Sequence, residues 1–184
     1  MKIKFGCVNI VATVADAPWI IPPFIDELRR LIVYYNDKKP IVSVDIKFDP
    51  NATSNLHYKA AATLQICYRT HCIIIQLLHL DVTPPALLAF LVDTKIEFVS
   101  YKVSDSASKL QRSYGICSRV PIWLASYSSI DLAQRVRTDL GLNIEIPTGA
   151  SSSACGARNL TEEQTAICAY AVGMLGVKYY RGSF

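Results

Sequence analysis

Asp45 and Lys47 stand two residues apart in the run Ile-Val-Ser-Val-Asp-Ile-Lys-Phe-Asp-Pro, positions 41–50. The run alternates like a β-strand, and side chains two apart on a strand project from one face. A carboxylate and an ammonium are thereby set side by side. A pair of divalent cations requires several anionic oxygens to offset the repulsion between the ions, and a lone carboxylate beside a fixed positive charge does not supply them. The chemistry that fits this spacing is an ion pair, in which Lys47 neutralises Asp45.

Other reactive side chains lack partners at useful spacing. His57, His71 and His79 fall on a loop and a hairpin without a carboxylate or cysteine placed to form a triad, so ordinary surface or core positions are expected. Asp81, Asp93 and Glu97 flank turns, where acidic residues are common for conformational reasons. No glycine-rich phosphate cradle is present. Trp19 follows Pro18 and Trp123 lies two residues after Pro121, and both read as packing anchors rather than base-stacking platforms. The six cysteines, at 7, 67, 72, 117, 155 and 168, include no C-x-x-C pair, which argues against a zinc ribbon or redox motif and for buried, reduced thiols. Cys67 and Cys72 face one another across a tight hairpin, but a reducing compartment would keep them apart as thiols.

These residues must be positioned by a chain of 184 residues, a length that suits one α/β domain covering 1–184. Apolar residues make up 51% and charged residues 18%, which excludes extended disorder. The longest apolar-dominated run, Cys72 to Leu80, is too short for a membrane span of roughly 18–20 residues. The opening Met-Lys-Ile-Lys-Phe-Gly lacks the features of a signal peptide, so an intracellular location, cytoplasm or nucleus, is expected. The net charge of +4 is spread along the chain, permitting nucleic-acid contact without predicting it.

The chain opens as a strand pair. Pro22-Pro23 then start an amphipathic helix with Phe24, Ile25, Leu28, Leu31, Ile32 and Tyr35 on its apolar face. Strands follow at 41–48, 61–68 and 72–78, the last two joined as a hairpin by Arg69-Thr-His71. A short helix at 86–92 leads to a strand at 96–103, expected at the centre of the sheet. A helix capped by Ser104 or Asp105, with Ala107, Leu110 and Tyr114 inward, would stop at Gly115. Another runs from about 130 to 140 and stops at Gly141. The Ser/Ala/Gly-rich stretch 148–159 reads as a loop, and Thr161-Glu-Glu-Gln164 as a capping box for a last helix with Ala166, Tyr170, Gly173 and Val177 on one face.

Taken in order, several fragments resemble the plant Werner-like branch of the 3′–5′ exonuclease domains, the DEDDy group of the RNase H-like superfamily. Val-Asp-Ile-Lys-Phe-Asp-Pro at 44–50 is similar to that family's D-x-E-W-x-P, and Ala-Thr-Leu-Gln-Ile-Cys at 62–67 to its A-x-L-Q-L-C. Lys109-Leu110 and Leu-Thr-Glu-Glu-Gln at 160–164 fall in the expected order. The resemblance implies a DnaQ-like α/β fold, a mixed sheet of five to six strands flanked by helices. It also implies a site in which four acidic residues hold two Mg²⁺ or Mn²⁺ ions while a tyrosine orients the attacking water. Those positions correspond to Asp45, Lys47, Ser106, Ile167 and Ala171, and of these Asp45 alone carries the family's residue. The segment 116–131 is shorter than in active relatives, and Cys155 stands where a tryptophan is expected.

The resemblance therefore implies a degenerate member with no catalytic residues, no bound metal and no other cofactor. Its expected role is that of an inactive exonuclease-like domain acting through a protein partner, with self-association as a second use of its apolar surface. The alternative is a nucleic-acid-binding protein, or a weak metal-dependent 3′–5′ exonuclease that keeps the family's groove. No membrane association is expected.

Overall fold

The structure is a computed structural model that describes residues 1–48, 61–101, 110–111, 114–117, 122–123, 132–144 and 162–181. Lys2–Phe5 (β1) and Val8–Ala15 (β2) pair antiparallel around Gly6, whose φ of +60° is a conformation glycine adopts without a Cβ penalty. The chain then folds into Ile21–Tyr35 (α1), with Pro22 and Pro23 in its first turn and Asn36 closing it at φ 49°. Ile41–Phe48 (β3), Ala61–Tyr68 (β4) and His71–Gln76 (β5) form an antiparallel meander. Pro85–Leu91 (α2), Glu97–Ser100 (β6), Ile122–Trp123 (β7), Leu132–Leu140 (α3) and Glu162–Arg181 (α4) complete the described elements.

The strands form one mixed sheet in the order β1-β2-β5-β4-β3-β6-β7, with β2 parallel to β5 and β3 parallel to β6. Six strands of four or more residues carry the sheet, and the two-residue β7 extends it beside β6. The expected mixed sheet flanked by helices is present. β4, not β6, holds its centre, because the β3–β4–β5 meander is flanked on one side by β2 and on the other by β6. Of the strand expected over 96–103, Glu97–Ser100 is strand, and 102–103 lie outside the described residues. β5 stops at Gln76, where a single 3-10 turn, Leu77–His79, takes the chain out of the sheet.

Alternation along the strands sends side chains to two covered faces. Val42, Val44, Ile46, Leu64, Ile66, Ile73 and Ile75 pack with Phe24, Ile25 and Leu28 of α1 and with Leu87, Phe90 and Leu91 of α2. On the other face, Ile10, Cys72 and Ile74 meet Ala166, Ala169 and Tyr170 of α4, while Ile41 and Val99 meet Val172 and Leu175. Each large buried side chain contributes about 1.5–3 kcal/mol against exposure. α4 approaches closely because it offers small residues: a Cβ built on Gly176 would lie 2.7 Å from Val99 Cγ2.

Two expectations about single residues are corrected. Trp19 is no packing anchor but is 75% exposed, since the turn Pro18–Ile20 directs Ile20 and Ile21 inward and Trp19 away from the core. Cys67 and Cys72 are not separate thiols. The hairpin register sets them opposite each other, with Cα atoms 4.1 Å apart, and a disulfide joins them. Cys168 is a buried thiol as expected, whereas Cys7 and Cys117 are exposed. The helix cap at 104–105, the loop at 148–159 and the threonine of the capping box lie outside the described residues.

Candidate functional site

Asp45 lies in the middle of β3 and is buried against the α4 side of the sheet. The placement follows from parity. Val42, Val44 and Ile46 fill the α1 face, so Ser43 and Asp45 belong to the opposite one. Asp45 Oδ1 accepts a hydrogen bond from the backbone N–H of Ile46 at 3.0 Å. Across the ladder, Asp45 pairs with Gln65 and Lys47 with Thr63, and the register shifts between Lys47 and Phe48. The Lys47 side chain lies outside the description, as does Ser106, so the Asp45–Lys47 ion pair stays an expectation.

The neighbouring polar groups form a row beneath α4. Ser43 Oγ donates to the carbonyl of Ala169 at 2.7 Å, tying β3 to the helix. Gln65 Nε2 donates to Thr63 Oγ1 at 2.5 Å, and Gln65 Oε1 has no partner among the described residues. Thr63 and Gln65 are buried. Neither was singled out from sequence, although alternation with Leu64 and Ile66 would have placed both on Asp45's face.

The remaining two positions lie on α4, four residues apart and so one turn apart on the helix. Ile167 is half-buried and packs against both apolar clusters on this side of the sheet. Ala171 is fully buried with Ile41, Val99, Val172 and Leu175. Neither side chain carries an oxygen. No three His, Cys, Asp or Glu side chains converge among the described residues.

The backbone arrangement is similar to that of solved exonucleases. Escherichia coli RNase D, an exoribonuclease involved in structured RNA processing, superposes with a TM-score of 0.65 at 17% identity, over 93% of this chain and 44% of RNase D. This chain thus spans less than half of that protein. The exonuclease domain of EXD2, in crystals soaked in Mn, superposes with a TM-score of 0.52 at 20% identity, over 93% of this chain and 90% of that domain. The fold is that of the DnaQ-like 3′–5′ exonucleases. At these identities the likeness concerns fold and not activity. No protein-family profile matches the sequence, and no curated protein sequence matches it either.

The best-defined polar site away from β3 joins α1 to the β4–β5 turn. Tyr68 donates its hydroxyl to Asp37 Oδ2 at 2.7 Å, and Arg69 reaches the same carboxylate at 3.2 Å. The Arg69 guanidinium lies 3.9 Å from the centre of the Tyr35 ring. Burial, reinforced by the Asp37 carboxylate, pushes the Tyr68 hydroxyl up to about 12. This cluster has the geometry of a brace between helix and hairpin. It holds no nucleophile or metal-ligand set.

Proposed function

We propose that this is a degenerate member of the plant Werner-like exonuclease branch, catalytically silent, which acts through contact with protein. The observation that carries the reading is Ala171. At the position where the resemblance calls for the last metal-binding aspartate, a methyl group is packed without solvent among Ile41, Val99, Val172 and Leu175. A hydrated divalent cation has no ligand there.

The donor set as a whole does not fit the two Mg²⁺ or Mn²⁺ ions of such exonucleases. Asp45 is the single carboxylate among the family's positions, its Oδ1 is already turned to the Ile46 amide, and a lysine follows two residues later. Freed from that constraint, the apolar surface is available for a partner. No described helix is long and apolar enough to cross a membrane.

The experiment is digestion of a 3′-labelled oligonucleotide in Mg²⁺ or Mn²⁺. It compares the natural chain with the variant Lys47→Glu, Ser106→Asp, Ile167→Tyr, Ala171→Asp and with Asp45→Ala. The natural chain is expected to leave the substrate intact. Digestion that disappears with Asp45→Ala would overturn the reading. Salt-dependent capture of a labelled single strand without digestion would favour nucleic-acid binding over a protein partner, given the net charge of +4.

A further inference from the structure

We propose that Cys67 and Cys72 form a reversible dithiol–disulfide couple gated by α4, closed to an external dithiol while the helix is seated and open to it when the helix lifts from the sheet.

The sulfurs sit between sheet and helix. Cys67 and Cys72 are 1% and 0% exposed, and they share an apolar cluster with Ile10 and Ile74 of the sheet and with Ala166, Ala169 and Tyr170 of α4. A thiolate entering that layer loses its hydration without gaining a partner, so exchange waits for the helix to move. The fastening that resists the movement lies beside the pair. Ser43 Oγ is within hydrogen-bonding distance of two carbonyl oxygens, that of Ala169 on α4 at 2.7 Å and that of Cys67 itself at 3.3 Å.

Both redox states are accommodated. After reduction each thiol has an acceptor in place, because Cys67 Sγ lies 3.4 Å from the Arg69 carbonyl oxygen and Cys72 Sγ lies 3.7 Å from the Ala166 carbonyl oxygen. The hairpin does not depend on the covalent link. Its ladder runs from Thr63 opposite Gln76 to Tyr68 opposite His71, and Asp37 holds both Tyr68 and Arg69 at the turn. The sulfurs therefore stay opposite each other when the bond opens and can close again.

The reaction is thiol–disulfide exchange. One thiolate of the external dithiol attacks a protein sulfur, the Cys67–Cys72 bond breaks, and the released sulfur takes up a proton. The second thiol of the reagent, as its thiolate, displaces the other protein sulfur, which is protonated in turn. The reagent leaves as a disulfide, having given two electrons and two protons to the protein. Because the pair is reached in one position of α4 alone, the rate of exchange is set by how often that helix lifts.

The test treats the natural chain, Ser43→Ala and Ile25→Val with dithiothreitol and follows Cys67 and Cys72 by alkylation and peptide mass mapping. Ser43→Ala loosens α4, whereas Ile25→Val trims the opposite face of the sheet at comparable cost. Circular dichroism verifies that each variant is folded. The bond in the natural chain is expected to be reduced at least ~100-fold more slowly than in the urea-unfolded protein. Ser43→Ala should react about five-fold faster than the natural chain, the factor for one buried hydrogen bond, and Ile25→Val at the natural rate. The far-UV signal should survive reduction, and glutathione disulfide, added once the dithiothreitol is removed, should restore the bond with release of two glutathione thiols. Equal acceleration by both variants would assign the reaction to global unfolding and overturn the gate, as would a Ser43→Ala rate unchanged from the natural one or a natural chain reduced at the unfolded rate. Loss of the helical signal on reduction, or a pair that does not re-form, would overturn the reversible couple.

Discussion

Ser43 on β3 and Ala169 on α4, 126 positions apart in the chain, are joined by a hydrogen bond of 2.7 Å from the serine hydroxyl to the helix carbonyl. A second contact of the same hydroxyl, to the Cys67 carbonyl at 3.3 Å, ties β4 into the junction. One small polar side chain thus fixes the height of α4 above the two central strands. Asp45, two residues on, lies in the same covered layer.

Ser43→Ala is expected to lower unfolding free energy by about 1 kcal/mol, the net worth of a buried neutral hydrogen bond. Urea denaturation followed by far-UV circular dichroism measures it. A midpoint unchanged from the natural chain would show that the bond does not hold the helix.

Gly176→Ala and Gly173→Ala should have opposite signs. A Cβ at 176 meets Val99 at 2.7 Å and Ile41 at 3.1 Å, an overlap that costs about 1–3 kcal/mol in a packed core. At 173 the nearest atom is Ser43 Oγ at 3.6 Å, ordinary contact. There alanine's better helix propensity should stabilise by up to ~1 kcal/mol. Thermal melts of the two variants side by side make the comparison.

Tyr68 predicts a loss of stability on the alkaline side. Its hydroxyl titrates at about 12 in the fold, chiefly through burial and then through Asp37, against 10.0 when unfolded. A folded value above the unfolded one means full stabilisation below pH 10, lost progressively as pH rises from about 10 towards 12. Tyr68→Phe should flatten that part of the stability–pH curve. An equally steep curve in the variant would assign the loss to another group.

The Cys67–Cys72 bridge is open to a direct count. Thiol titration of the denatured protein should give two fewer reactive groups before reduction than after it. Equal counts would return the pair to free thiols.

Much of this architecture was legible because local pattern and final environment agree. Phe24, Ile25 and Leu28 recur at helical spacing and are buried together, and the strand expected over 41–48 is present with those bounds. Where the outcome depended on non-local pairing, the sequence was silent. That β6 sits off-centre is decided by which strands dock beside β3 and β5, and nothing within 96–103 encodes it. Trp19 looked like a core residue by type, yet the sharp turn before α1 committed its neighbours inward. Thr63 and Gln65 escaped notice because polar residues on a strand read as solvent-facing, whereas here α4 covers them. Ile167 and Ala171 could be located by motif, but that Ala171 lies in an apolar cluster with β3 and β6 required the helix to be seen against the sheet.

The order in which a ribosome releases the chain gives the last helix a further significance. All of β1 to β7 emerges before Glu162, yet one side of that sheet, including Ile74 and Val99, is covered largely by residues 162–181. A nascent chain with every described strand in place still presents an oily plane to its surroundings until α4 arrives. Chaperone capture should therefore persist until residues 162–181 have emerged, and a stop codon shortly before 162 should yield aggregate rather than a shortened soluble product.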